Sequence, residues 1–313
     1  MTFGIGTILG DGRYRVERRI GQGAFGVLYL ASDLRSPATH VAVKAEPSDA
    51  DYPQLVYEWR VYSELSGGGG QQQPGVPALY YMGEHAGHNF IAMQLLGYSV
   101  EELFNYCGRK LGLKTVLSLG MAMLRRIQHV HARGFIHRDI KPDNFLFGLG
   151  QHAETLYLID FGLCKRYVHP GTGAHIPDRA DKHLTGTPRY ASVRTHEGRE
   201  QSRRDDIEAL AYVLLYLLHG ALPWQGKHEK KKTGQYAAVR KLKASPEALA
   251  PGTPPEIARL LTHARGLAFE AAPDYAGLME GLEGLFTRSG FVHDGVFDWS
   301  SSRTSASTVG RPP

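Results

Sequence analysis

The hydrophobic period of this chain is mainly that of strands over the first hundred residues and mainly that of helices afterwards, and that change limits its possible folds more than any other feature. Before it, Arg13–Ile20 alternates polar and apolar residues and Val27–Ala31 follows a glycine cluster. Val41–Lys44, Tyr80–Met82 and Phe90–Met93 are further short runs of strand-forming residues. One helical spacing interrupts them, Gln54–Leu65, with Leu55, Val61 and Tyr62 apolar and Glu58 on its surface. After the change, Lys114–Arg133 places Val116, Leu119, Met123, Ile127 and Val130 three and four apart, and Gly134 is suited to end that helix in the left-handed conformation. Asp206–His219 is apolar nearly all round, the pattern of a helix buried within a lobe, and Gly220 stops it. Asp206 heads this helix, where its carboxylate can cap backbone N–H groups, those of the loop at 137–144 included. Short strands are expected around Asn144–Phe147 and Leu156–Ile159. Strands gathered first and helices after predict an α+β protein with a mainly β portion carrying one helix and a larger, mainly helical portion.

Length and composition agree with an ordered protein of this size. A chain of 313 residues with 42% hydrophobic content can bury a sizeable core. Two cysteines, Cys107 and Cys164, exclude a disulfide framework and show no metal-type spacing, which predicts a reducing compartment. No signal-peptide pattern is visible at residues 1–10, and the most apolar run, Leu210–Leu218, is too short to span a membrane. The net charge of +5 is compatible with a solvated surface or with anionic partners. The run Lys227–Lys232 has no interleaved aromatic residue, so specific nucleic-acid recognition is not expected.

Four constellations carry chemistry. Gly21, Gly23 and Gly26 form G-x-G-x-x-G, but a strand follows where a dinucleotide fold needs a helix, so the glycines read as a hairpin turn whose backbone can lie close over phosphates. Lys44 ends the strand at 41–44, where a cation can reach α- and β-phosphates, and Glu58 on the next helix can hold it. His137-Arg138-Asp139-Ile140-Lys141-Pro142-Asp143-Asn144 is the most specific signal. In it Asp139 can orient an attacking hydroxyl, Lys141 can neutralise a moving phosphoryl group, and Asn144 can ligate a metal ion. Asp160-Phe161-Gly162 closes the set, with Asp160 offering a hard oxygen to Mg²⁺.

Several stretches resemble the casein kinase I family of eukaryotic serine/threonine protein kinases over about residues 10–299. They include Leu95-Leu96-Gly97, Lys141–Leu146, Leu184–Ser192, Gln201–Asp206, Leu222–Gly226, Pro273–Tyr275 and Val296–Trp299. The resemblance implies a bilobal protein kinase fold: an extension at 1–12, an N-lobe at 13–93, a hinge at 94–97, a C-lobe at 98–299 and a disordered tail at 300–313. It implies ATP and Mg²⁺, with Asp139, Lys141, Lys44 and Glu58 catalytic and Asn144 and Asp160 at the metal. Ile20, Gly21, Gly23, Gly26, Leu28, Ala42, Lys44, Met93 (as gatekeeper), Gln94 and Leu96 would bind the nucleotide. It further implies protein substrates with Ser or Thr downstream of a phosphorylated or acidic residue, read by Arg189 and Lys232, in a monomeric protein of the cytoplasm or nucleus.

The chain departs from the pattern in places. Most kinases carry Ala-Pro-Glu where Ser192-Val193-Arg194 stands, Gln94 replaces a usual hinge Glu, and Gln235 replaces a frequent lysine. The segment from Leu163 to Leu184 offers Thr172 amid Lys165, Arg166, His169, His175, Arg179, Lys182 and His183. A segment so basic has little reason to need a phosphate to draw it toward Arg138, so activity without phosphorylation there is expected.

Overall fold

A computed structural model describes residues 3–23, 26–36, 38–50, 53–67, 73–226, 236–245 and 251–301. The expectations placed on Lys227–Lys232, Gln235 and the tail beyond Ser301 lie outside the described residues, as do residues 68–72 of a glycine- and glutamine-rich stretch at 66–75. The chain forms two compact units, one of residues 1–98 with 146–164 and one of 99–145 with 165–313. The first is sheet-rich and the second helical, which is the bilobal α+β class expected from the sequence.

The sheet-rich unit is an antiparallel sheet of β1 (Ile8–Leu9), β2 (Tyr14–Gly23), β3 (Gly26–Asp33), β4 (His40–Pro47), β5 (Leu79–His85) and β6 (His88–Gln94), in the order β1-β2-β3-β4-β6-β5. Side chains alternate across it. Val16, Tyr29, Ala31, Val41, Val43, Ala45, Phe90 and Ala92 bury one face with Phe3, Leu9 and Tyr14. Leu28, Ala42, Lys44, Ile91 and Met93 therefore share the other face, and the register sets Leu28 opposite Lys44 and Ala42 opposite Met93. The α-helix described in this unit, α1 (Leu55–Leu65), packs against β5 and β6. Two-residue β1 carries too little pattern to be read from sequence; it pairs with β2 at Ile8↔Arg15 and Leu9↔Tyr14.

In the helical unit α2 (Val100–Tyr106) opens on a capping box of Ser99 and Glu102, and α3 (Leu113–Ala132) ends before Gly134, whose φ of +81° is the left-handed conformation expected there. The remaining helices are α4 (Val193–His196), α5 (Arg203–His219), α6 (Ala237–Ala244), α7 (Pro255–Gly266), α8 (Tyr275–Arg288) and α9 (Asp298–Ser301). Helix α5 is buried along nearly its whole length and packs on α3 and α7. It starts three residues before the expected position. Ser202 is its N-cap and Asp205 completes a capping box, which frees the carboxylate of Asp206 from capping its own helix. The early start was hidden because Arg203, Arg204 and Asp205 read as a polar surface; Arg204 and Asp205 are in fact buried. Phe135–Ile136 pairs antiparallel with Lys165–Arg166, bracketing the loop that carries Asp139.

Candidate active site

The sheet-rich unit gathers Lys44, Glu58 and Asp160. Lys44 Nζ lies 2.6 Å from Glu58 Oε2 and 3.0 Å from Asp160 Oδ1. Burial alone would lower the lysine pKa, but attraction to Glu58 and Asp160 outweighs it and raises the pKa, so the ammonium stays charged. Glu58 is fully enclosed and its charge depends on Lys44. The aim of Glu58 is set from β4 itself. Helix α1 has no side-chain cap of its own; instead Glu46, on the same strand face as Lys44, accepts hydrogen bonds from Gln54 N (3.0 Å) and Leu55 N (2.9 Å). One strand thus carries both the cation and the carboxylate that fixes the helix bearing its partner.

Asp160 is held as firmly. Its backbone is left-handed at φ +66°, and its N–H donates to Tyr62 Oη at 3.1 Å. Tyr62 follows Glu58 by one helical turn and meets the buried Phe161 ring edge-on at 4.9 Å. The side chain of Asp160 keeps 26% exposure, enough to present an oxygen to a metal ion. At the β2–β3 turn Gly23 pairs with Gly26, and Gly26 has φ +141°; a Cβ there would stand 2.2 Å from Ala45 O, so no other residue fits. Gly21 pairs with Leu28, and Ile20 is half-buried on the preceding turn of strand. Leu28, Ala42 and Met93 make an apolar strip on the face that carries Lys44. Beyond it Gln94 bonds to Ala78 N and Tyr157 Oη, and Leu96 is half-buried.

The helical unit holds Asp139, Lys141 and Asn144 on one loop. Asp139 is buried, and both its oxygens are engaged. Oδ2 accepts from Lys141 Nζ at 2.6 Å; Oδ1 accepts from Thr187 N at 2.8 Å and Thr187 Oγ1 at 2.7 Å. Asn144 Nδ2 donates to Asp139 O at 2.9 Å, which leaves its amide oxygen as the atom suited to a metal. The loop is fixed from beneath by Asp206, which accepts from His137 N (2.7 Å), Arg138 N (2.9 Å) and the ring of His131 (2.8 Å). Burial would raise the carboxyl pKa of Asp206, yet these bonds hold it below the usual range. The sequence reading that Asp206 caps this loop holds, whereas the start of its own helix is closed by Asp205, which accepts from Ser202 N at 2.7 Å. Arg138 sits at φ +67°, a conformation that costs a residue with a side chain. From the other side Gly186, at φ +92°, approaches so closely that a Cβ would stand 2.2 Å from Arg138 O.

Gly186 and Thr187 lie in a stretch that carries the family resemblance; Thr187 meets Asp139 across 48 residues of sequence, and no local pattern marks that contact. The turn that follows is tied to α5 where Ala-Pro-Glu is missing: Ser192 Oγ donates to Asp205 (2.5 Å) and Val193 N to Glu208 Oε1 (3.0 Å). Arg189 lies 5.5 Å from the Tyr216 ring and lines a small cavity with Pro188, Trp224, Gln225, Gly226 and Val239. Lys232, its expected companion, lies outside the described residues.

Two lysines of the basic segment after Cys164 are paired within its own unit. Buried Glu200 takes Lys165 Nζ at 2.8 Å and Lys182 Nζ at 3.4 Å. Burial pushes the Glu200 pKa up, but the two lysines bring it below the usual value. The backbone closes the same contact, Lys182 N to Gly198 O at 2.9 Å and Glu200 N to Arg179 O at 2.8 Å. Among the described residues no helix is long and apolar enough to cross a membrane. Compared with family models, residues 14–264 match that of the protein kinase domain.

Proposed function

Since this chain belongs to the protein kinase family, whose members phosphorylate proteins at the expense of ATP, we propose that it is a serine/threonine kinase of the casein kinase I type. In this reading the apolar strip of Leu28, Ala42 and Met93 lies against the adenine, with Ile20, Gln94 and Leu96 around it. The turn of Gly21, Gly23 and Gly26 lies over the phosphates, and Lys44, held charged by Glu58, grips them. Asp160 and Asn144 would supply the oxygen ligands for Mg²⁺, whose charge would offset that of the nucleotide phosphates. Asp139 orients the acceptor hydroxyl and accepts its proton, while Lys141 follows the charge of the transferring phosphoryl group.

The observation that carries this reading is the three-sided clamp on Asp139. Thr187 occupies Oδ1 with two donors and Lys141 sits at Oδ2, so one carboxylate is aimed and paired with a cation before any substrate arrives. The resemblance in the motifs supports the serine/threonine assignment and the preference for acceptors downstream of an anion. Arg189 lines a cavity beside the segment that contacts Asp139, and its guanidinium chemistry supports reading it as the receiver of that anion. The Glu200 bridge supports activity without phosphorylation of the basic segment, since its carboxylate already occupies the lysines a phosphate would seek.

The test is incubation of the purified chain with Mg-ATP and paired serine peptides, with and without phosphoserine three residues upstream of the acceptor. Transfer to serine, faster on the primed peptide and abolished by Asp139→Asn, is expected. Equal rates on both peptides would remove the priming claim, and no transfer from folded wild-type protein would remove the kinase claim.

A further inference from the structure

One side chain of the helical unit is buried against expectation and serves no step above. Lys243, near the end of α6, has 0% of its surface exposed. Among the described residues no carboxylate forms an ion pair with it. Its Nζ instead donates to Pro188 O (2.8 Å) and Ala191 O (2.5 Å) and lies 3.1 Å from His196 Nε2, which is itself 3.2 Å from Pro188 O. The rings of Tyr212 and Trp224 lie 4.9 and 5.2 Å from Nζ. Between the two captured carbonyls, Arg189 O accepts from Trp224 Nε1 at 2.8 Å. Carbonyls at 188, 189 and 191 are therefore all held by side chains, in a stretch that belongs to no helix or strand.

This stretch begins one residue after Thr187, which bonds to Asp139, and it carries Arg189 into its cavity. We infer that Lys243 is a positioning residue for the protein substrate: it fixes the backbone of Pro188–Ala191 and so sets where an acceptor peptide lies relative to Asp139. The inference rests on reading that stretch as acceptor-facing. Burying an ammonium with no carboxylate in contact is costly, and burial pulls its pKa down to about 7 against the opposing charge of Glu208. A lysine placed only to fill space would be replaced at lower cost by an apolar residue of the same length. His196 is itself kept neutral, its pKa lowered to about 4 by burial and by Lys243.

Lys243→Met keeps the length and apolar contacts and removes the donors. With the primed and unprimed serine peptides as acceptors, the peptide KM should rise about tenfold, the cost of leaving buried carbonyls unpaired, while the KM for ATP stays within about twofold. Trp224→Phe, which removes the donor to Arg189 O together with part of the buried ring, should move the peptide KM in the same direction by a smaller factor. A folded Lys243→Met protein with an unchanged peptide KM, or with equal rises for ATP and peptide, would overturn the inference. If Lys243→Met does not fold, an unchanged peptide KM in Trp224→Phe would overturn it alone. Wild-type protein that ignores priming would end the anion reading yet leave this comparison intact on either peptide.

Discussion

Replacing Asp206 with asparagine tests the support of the catalytic loop in nearly unchanged volume. The wild-type carboxylate receives three donors, from His137 N, Arg138 N and His131, at 2.7, 2.9 and 2.8 Å. An amide keeps one oxygen and turns an NH₂ group toward a backbone N–H. Losing one charge-assisted bond and setting two donors against each other costs about 3 kcal/mol. In a unit of this size each kcal/mol moves the melting midpoint by about 2–4 °C, so a fall of roughly 6–12 °C is expected. The pH dependence has a fixed sign. The folded pKa of Asp206 is depressed, so its stabilisation is complete above the unfolded value, about 4, and is lost as pH falls through the folded value. The gap between wild type and variant should therefore be widest near neutrality and close in acid. Scanning calorimetry from pH 7 to pH 3, with turnover measured at 25 °C on the same samples, reads both. A midpoint lowered by less than about 2 °C at pH 7, or a gap that widens in acid, would refute the argument that Asp206 bears the loop as a carboxylate.

Other perturbations separate the two units. Glu46→Ala removes the cap of α1 at a cost of about 1 kcal/mol and should weaken ATP binding severalfold, read by nucleotide titration, with the peptide KM unaffected. Thr187→Ala leaves one donor to Asp139 Oδ1 in place of two and should lower kcat about tenfold without changing the KM for ATP, read by steady-state kinetics. Thr172→Ala should retain activity, whereas Glu200→Ala, which leaves Lys165 and Lys182 unpaired against each other, should lose it; phosphate transfer by unphosphorylated protein decides both.

What could be read from sequence follows from where each residue finds its partners. The strands of the sheet declare themselves because alternation needs only neighbours, and Asp139, Lys141 and Asn144 because the loop that uses them is one stretch of eight residues. Lys44, Glu58 and Asp160 were legible for a different reason: a cation, a helical carboxylate and a metal ligand in that order answer the needs of one phosphate chain. Glu46, Thr187, Glu200 and Lys243 answer needs of the fold instead. Glutamate and lysine are surface residues by default, and Lys243 follows Arg240 and Lys241 on a helix that reads as solvated. Its carbonyl partners lie 52 and 55 residues back, on a turn whose shape no periodicity encodes. Helix α5 shows the same effect from within, since Arg204, Asp205, Asp206 and Glu208 are buried because they serve loops elsewhere, and their polarity concealed its first turn. A polar residue that supports a reactive one is therefore hidden by its own chemistry. It becomes visible only when burial and an unexpected set of hydrogen-bond partners are seen together, which is the combination that sets Lys243 apart from the other lysines described.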